Sequence, residues 1–143
     1  MLIELEKINN NFKIEVKKAG STKTEIEELQ AFFIGIDIPN EYTDFISKIA
    51  EAEILVKNDY YIRIWDAKGC MEMNESYNIQ KYIPSALAIG DDEGGQAIFY
   101  AKGNHGYGLY KVGFGNLDIN DAVFIAPSLH DLLINGVGIE QLV

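Results

Sequence analysis

The sequence is short of the features that most directly announce a function. It has one cysteine, Cys70, so no intramolecular disulfide can form. That usage fits a reducing compartment. No apolar run reaches the ~20 residues of a membrane-spanning helix. The first 18 residues lack the basic-then-apolar layout of a secretory signal, because Glu4 and Glu6 interrupt it. These absences together imply a cytoplasmic protein. Bases are also scarce, with 12 Lys and Arg against 22 Asp and Glu, a net charge of −10. Residues 1–20 hold three acids and four bases, and the remainder 19 acids and eight bases, so the excess lies beyond the N-terminal stretch. Such a field opposes phosphate backbones and anionic membrane surfaces, and it favours solubility or a basic protein partner. Nucleic acid and membrane are therefore excluded as partners.

Repeats, low-complexity tracts and Pro/Gly/Ser linkers are also missing. The 143 residues, 48% of them apolar, read as a single domain over 1–143. A chain of that size can bury a core without a metal or a disulfide.

The coarse pattern is α+β. Residues 12–17 alternate as a short strand. Thr22 and Glu25 have capping-box spacing, and Ile26, Leu29, Phe33 and Ile36 recur at helical spacing, with an end near Gly35. Pro39 opens a second helix carrying Tyr42, Phe45, Ile46 and Ile49 on one face. The period then changes. Residues 53–57 and 60–65 read as strands joined at Asn58-Asp59, and Lys68-Gly69 closes that unit. A short helix over 70–77 precedes a buried strand at 86–90. The turn Asp91-Asp92-Glu93-Gly94-Gly95 leads into a strand at 96–101, a second turn at 103–106 and a strand at 107–112. Residues 123–125 make a last strand, and Ser128 caps a final helix that Gly136 stops. The order implies a central antiparallel sheet with N-terminal helices packed on it and a C-terminal helix.

Candidate chemistry is thin. Cys70 sits beside Met71 and Met73 in an apolar helical patch and reads as a buried structural cysteine, not a nucleophile. His105 and His130 have no second ligand at metal-binding spacing, so no metal and no cofactor is expected. Asp91, Asp92 and Glu93 superficially suggest a calcium loop or a carboxylate pair. They join strand to strand without the alternating ligand pattern of an EF-hand, and adjacent acids on a hairpin tip are solvated. Gly90, Gly94 and Gly95 read as structural turn residues supplying positive φ. Exposed sheet aromatics, with Tyr61, Trp65 and Tyr107 foremost, are the other candidates for a contact surface.

Four segments in order resemble the SUKH superfamily, the Smi/Knr-like domains, over about residues 22–136. Ile38-Pro39-Asn40-Glu41-Tyr42-Thr43-Asp44-Phe45-Ile46 is similar to that family's Leu/Ile-Pro-x-x-Tyr-x-x-Phe-Leu opening. Met73-Asn74-Glu75-Ser76-Tyr77 resembles its short helix with an Asn, which here is expected to cap local backbone. Leu87 to Tyr100 resembles its Ile-Gly-x-x-Gly-Gly-x-x-Leu/Ile-x-Tyr block, and Phe124 to Leu133 its closing Ile-Ala-x-Ser helix. Three residues separate Gly90 from Gly94, so Glu93 stands where the family's turn is shorter. Ile49-Ala50-Glu51-Ala52 replaces an Asn-Gly turn. The resemblance implies an α+β, non-enzymatic protein-binding domain of the bacterial immunity type. Its partner would be a cognate polymorphic toxin, and the charge favours a basic one. The contact residues expected from the acidic turn and the sheet aromatics are Asp91, Asp92, Glu93, Tyr61, Trp65 and Tyr107. A regulatory or scaffold domain of the cell-wall-regulator type is the alternative, and a hydrolase working near Asp91 the third. Neither the toxin's identity nor the oligomeric state is legible.

Overall fold

The computed structural model describes residues 1–143, apart from the side chains of Val16 and Lys17. Seven strands follow one another in space as they do in sequence: β1 (Phe12–Ala19), β2 (Ile49–Val56), β3 (Tyr60–Ile64), β4 (Leu87–Asp91), β5 (Gln96–Gly103), β6 (Gly106–Gly113) and β7 (Val123–Ala126). Every neighbouring pair is antiparallel. The helices are α1 (Lys23–Phe32), α2 (Asn40–Lys48), α3 (Ala67–Ser76), α4 (Ile79–Tyr82) and α5 (Leu129–Leu133). This is the expected α+β architecture, a meander sheet with helices from both ends packed on it.

Local sequence explains several boundaries. Thr22 and Glu25 form the capping box: Thr22 Oγ1 accepts from Glu25 N at 3.1 Å, and Glu25 Oε1 accepts from Thr22 N at 2.8 Å. Ser128 Oγ accepts from Asp131 N at 3.0 Å and starts α5, and Gly136 at φ 73 ends that segment.

Other boundaries differ from the pattern-based expectation. Ile49 does not extend α2. It begins β2, and the helix passes into the strand with no intervening turn. Ile49, Ala50 and Ala52 are buried, and the run to Val56 is rich in strand-forming residues, so pairing with β1 outweighs one more helical residue. The β2–β3 turn has its left-handed residues at Lys57 and Asn58, one position earlier than Asn58-Asp59. Lys68-Gly69 does not close the hairpin. Both lie in the first turn of α3, where the Asp66 carboxylate accepts from Gly69 N at 2.7 Å as an N-cap.

The sheet has two unlike faces. One packs against α1, α2 and α5 through Leu29, Phe45, Ile46, Ile54, Ile62, Leu109 and Leu132. On the other, β4–β6 are covered by α4 and by the loop over residues 114–122, which enclose Trp65, Ile79, Ile83, Phe99, Tyr110 and Val112. That second cover stops at β4. The outward residues of β2 and β3 (Glu53, Leu55, Tyr61, Arg63) alternate with buried Ile54, Val56, Ile62 and Ile64 and lie opposite one another in register. The face of β1–β3 away from the helices is therefore open, and it leads through the Arg63–Asp91 pair onto the acidic turn.

Candidate protein-binding surface

The acidic turn holds itself together. Asp91, the last residue of β4, accepts from Trp65 Nε1 through Oδ2 at 2.8 Å and from Glu93 N through Oδ1 at 2.8 Å. Asp92 Oδ1 accepts from Gly94 N at 2.8 Å and Gln96 N at 3.0 Å. Two of the three carboxylates thus replace backbone partners that the turn cannot supply.

The glycines play different parts from the expected one. Gly95 is left-handed at φ 95, but so is Glu93 at φ 56, while Gly90 and Gly94 are not. Gly90 is required for close approach, since a Cβ there would lie 2.1 Å from the Arg63 carbonyl oxygen across the strand pair.

Glu93 is the outward acid. Its Oε1 lies 3.6 Å from Arg63 Nη2, which also bonds Glu53 Oε2 at 2.9 Å. Glu53 and Arg63 are direct cross-strand partners. The hydrogen bond from Arg63 lowers the Glu53 carboxyl and raises the Arg63 guanidinium. Glu93 moves the other way. Partial burial, with the neighbouring Glu53 carboxylate, raises it. Glu51 is raised as well, chiefly by burial, although it accepts from Asp66 N at 3.1 Å. Lys18 lines the same shallow cleft as Glu51, Glu53 and Arg63, and with Glu93 the carboxylates there still outnumber the two cations. Tyr61, 38% exposed, donates from its hydroxyl to Glu15 Oε1 at 2.9 Å across β2. That bond raises the Tyr61 phenol.

The six expected contact residues do not form one patch. Asp91, Asp92, Glu93 and Tyr61 belong to the open face and its rim. Trp65 does not belong with exposed aromatics: it is 3% exposed, because its ring enters the second core and its N–H is taken by Asp91. Tyr107 is exposed, but it lies on the helix side of the sheet, its ring parallel to Tyr100 with centroids 6.0 Å apart. Burial, then Asp37 and Glu41, push its phenol up to about 12.

Sequence reasoning passed over Arg63, Glu53 and Glu15. The hairpin register around residues 57–59 would have placed Glu53 opposite Arg63. Two buried polar residues were also undervalued. Glu41, 8% exposed, accepts from Tyr100 Oη at 2.6 Å, Leu129 N at 2.8 Å and His130 N at 2.9 Å, which joins the start of α2 to the start of α5. Asn74 does bond local backbone, with Nδ2 donating to Cys70 O at 2.7 Å. It also spans to β4, donating to Ala88 O at 2.8 Å and accepting from Ala88 N at 3.0 Å.

Cys70 is fully buried and its thiol is pushed up to about 12, chiefly by burial. Among the described residues, no group of three or more His, Cys, Asp or Glu is placed to hold a metal ion. Among the same residues, no helix is long and apolar enough to cross a membrane.

The SMI1 / KNR4 family (SUKH-1) matches residues 20–135, most of the 143-residue chain. No curated protein matches it.

Proposed function

The chain belongs to the SMI1 / KNR4 family (SUKH-1), and from that premise we propose that it is a non-catalytic immunity protein that binds and neutralises a cognate toxin in the cytoplasm. The observation that carries this reading is the open face of β1–β3, which couples an exposed tyrosine to a carboxylate-rich cluster around Arg63. Tyrosine gives contact area at small entropic cost, and an acidic field speeds encounter with a basic partner and selects for it. The net charge of −10 acts in the same sense. Against a hydrolytic role, Asp91 and Asp92 are both engaged by backbone and indole N–H groups.

The test is co-expression with a candidate toxin encoded beside it. The expected result is cell survival and a complex that persists at moderate salt. Death of the cells, with no complex recovered, breaks the toxin reading and leaves the regulatory or scaffold role within the same family. Reversing Asp91 and Asp92 would damage the turn itself. Glu93→Lys is therefore the cleaner probe of this surface, and it should weaken a confirmed complex about tenfold or more.

A further inference from the structure

The two edges of the sheet are unlike. β7 has four residues, and Gly138 stands so close to its Ile125 carbonyl oxygen that a Cβ there would collide. β1, at the other edge, runs for eight residues. Asn11 O, just before that strand, accepts from Lys57 N beyond the end of β2 at 2.8 Å. Backbone groups alternate sides along a strand, so Phe12 and Ile14 turn their N–H and C=O away from β2. Phe12 N is taken by Asn9 O at 2.9 Å. Among the described residues, no backbone group outside β2 bonds the backbone of Lys13, Ile14 or Glu15. Such an edge is a template for another strand, and charges or bulges on it restrict which strand can pair. β1 has both: its register against β2 is unbroken from Phe12 to Ile14 and shifts after it, and Lys13, Glu15 and Lys18 are exposed.

We propose that β1 pairs antiparallel with β1 of a second copy about a two-fold axis at Ile14, so that one sheet runs through both chains. Charge selects this edge. The chain carries −10, but residues 1–20 hold three acids and four bases, so β1 lies outside the acidic excess that keeps two copies apart. Charge also selects a second copy and its register. With the axis at Ile14, Lys13 of each chain stands opposite Glu15 of the other, and symmetry makes the pair twice. Neither residue is in an ion pair among the described residues, and Glu15 uses one oxygen on Tyr61. An axis at Lys13 or Glu15 sets like charges against each other. One at Val16 sets Ile14 against Lys18, and a slip of one residue reverses the faces. Ile14 is half-buried against the main core, and its symmetry mate extends that cover. The pairing carries the open face of β1–β3 across the axis into that of the second copy.

The experiment is sedimentation velocity on the intact chain at moderate salt, over a dilution series reaching about 500 µM. A reversible dimer with a dissociation constant of about 10–100 µM is expected, because a single strand pair is a small interface. Lys13→Glu faces Glu15 of the second copy at both symmetric pairs and should weaken the dimer about tenfold. Glu15→Lys should do the same, and Lys13→Glu with Glu15→Lys should restore the dimer to within about threefold of the parent. Cross-linking reads the register independently. Ile14→Cys sets two sulfurs across the axis at disulfide distance, and Lys18→Cys, on an exposed residue of the same strand, does not. Cys70, the sole native thiol, is buried and stays silent. Mild oxidation should therefore link chains through position 14 and not through position 18. A monomer at the highest concentration, a dimer indifferent to Lys13→Glu, a double swap that stays monomeric, or linkage at position 18 as fast as at position 14 overturns the inference. No toxin enters these measurements, so their outcome stands apart from the immunity reading.

Discussion

Glu41 and Glu93 carry the same side chain on opposite faces of one sheet. Glu41 is 8% exposed, with three donors at 2.6–2.9 Å. Glu93 is exposed, left-handed at φ 56, and its carboxylate reaches Arg63 only at 3.6 Å. One carboxylate joins three separate segments. The other makes no contact the fold requires. The face that is finished internally depends on its buried polar atoms, and the open face keeps its charge available to a partner.

Removing each carboxylate is the most direct way to break that contrast. Glu41→Ala leaves Tyr100 Oη and two amides without their acceptor in a largely buried site, and a loss of about 2–4 kcal/mol is expected. Glu41→Gln keeps one acceptor oxygen and should recover part of it. Glu93→Ala should change stability by about 0.5 kcal/mol or less. Chemical denaturation of the three variants measures this, and equal losses at positions 41 and 93 would sink the distinction.

Gly90→Ala should follow, at about 2–4 kcal/mol. The added Cβ would meet the Arg63 carbonyl oxygen at 2.1 Å and force apart β3 and β4, which share just two register pairs. Gly95→Ala meets nothing within 4 Å and is charged only for its left-handed φ of 95, about 1 kcal/mol. A larger effect at Gly95 than at Gly90 would restore the simpler view that the turn's glycines all serve positive φ.

The fold was legible where one residue's neighbours in sequence decide its state. Thr22 with Glu25, Ser128 and the alternation in residues 12–17 each report a local preference, and each element formed. The site was legible only in part, because its geometry is set between strands. Nothing adjacent to Trp65 announces that Asp91, 26 residues later, takes its indole N–H and buries it. Tyr107 is exposed as expected, but the face it occupies depends on its pairing with Lys102 and its stacking on Tyr100. The Pro39-Asn40-Glu41-Tyr42 segment was conspicuous as a motif, yet the reason for Glu41 lies some 90 residues away at Leu129 and His130.

Cys70 sharpens the account of the finished side. With its thiol pushed up to about 12, the thiolate at pH 8 is on the order of one part in ten thousand, and the side chain is fully buried. Iodoacetamide should label the native chain only at the rate of its unfolding and should label it fully in denaturant. Rapid native labelling at pH 8 would show that the core around Ala88 and Asn74 opens.

On the open face the expected effects are smaller, and pH separates them from packing. Arg63 lowers Glu53 and opposes the rise of Glu93 and Glu51. A carboxyl depressed in the fold supports stability above its unfolded pKa and loses that support as pH falls through its folded value. A raised carboxyl does the reverse, costing stability as pH rises through its folded value. Arg63→Met moves all three upward. Its melting temperature should therefore fall below that of the parent at pH 7, and the gap should close as pH drops below the carboxylate range, near pH 4. A gap that persists at pH 3 would mean that the arginine stem, not its charge, holds this surface.

Tyr61 marks the far end of the scale. Its hydroxyl bonds Glu15, but both groups are in water, where such a bond contributes little. Tyr61→Ala should leave the melting temperature within about 2 °C of the parent while weakening a confirmed protein complex about tenfold or more, as loss of an interface aromatic does. Tyr107→Ala, on the helix-covered face, should leave that complex unchanged. If Tyr107 matters and Tyr61 does not, the partner approaches from the side of α2 and α5, and the open face of β1–β3 loses its claim to recognition, whatever its charge.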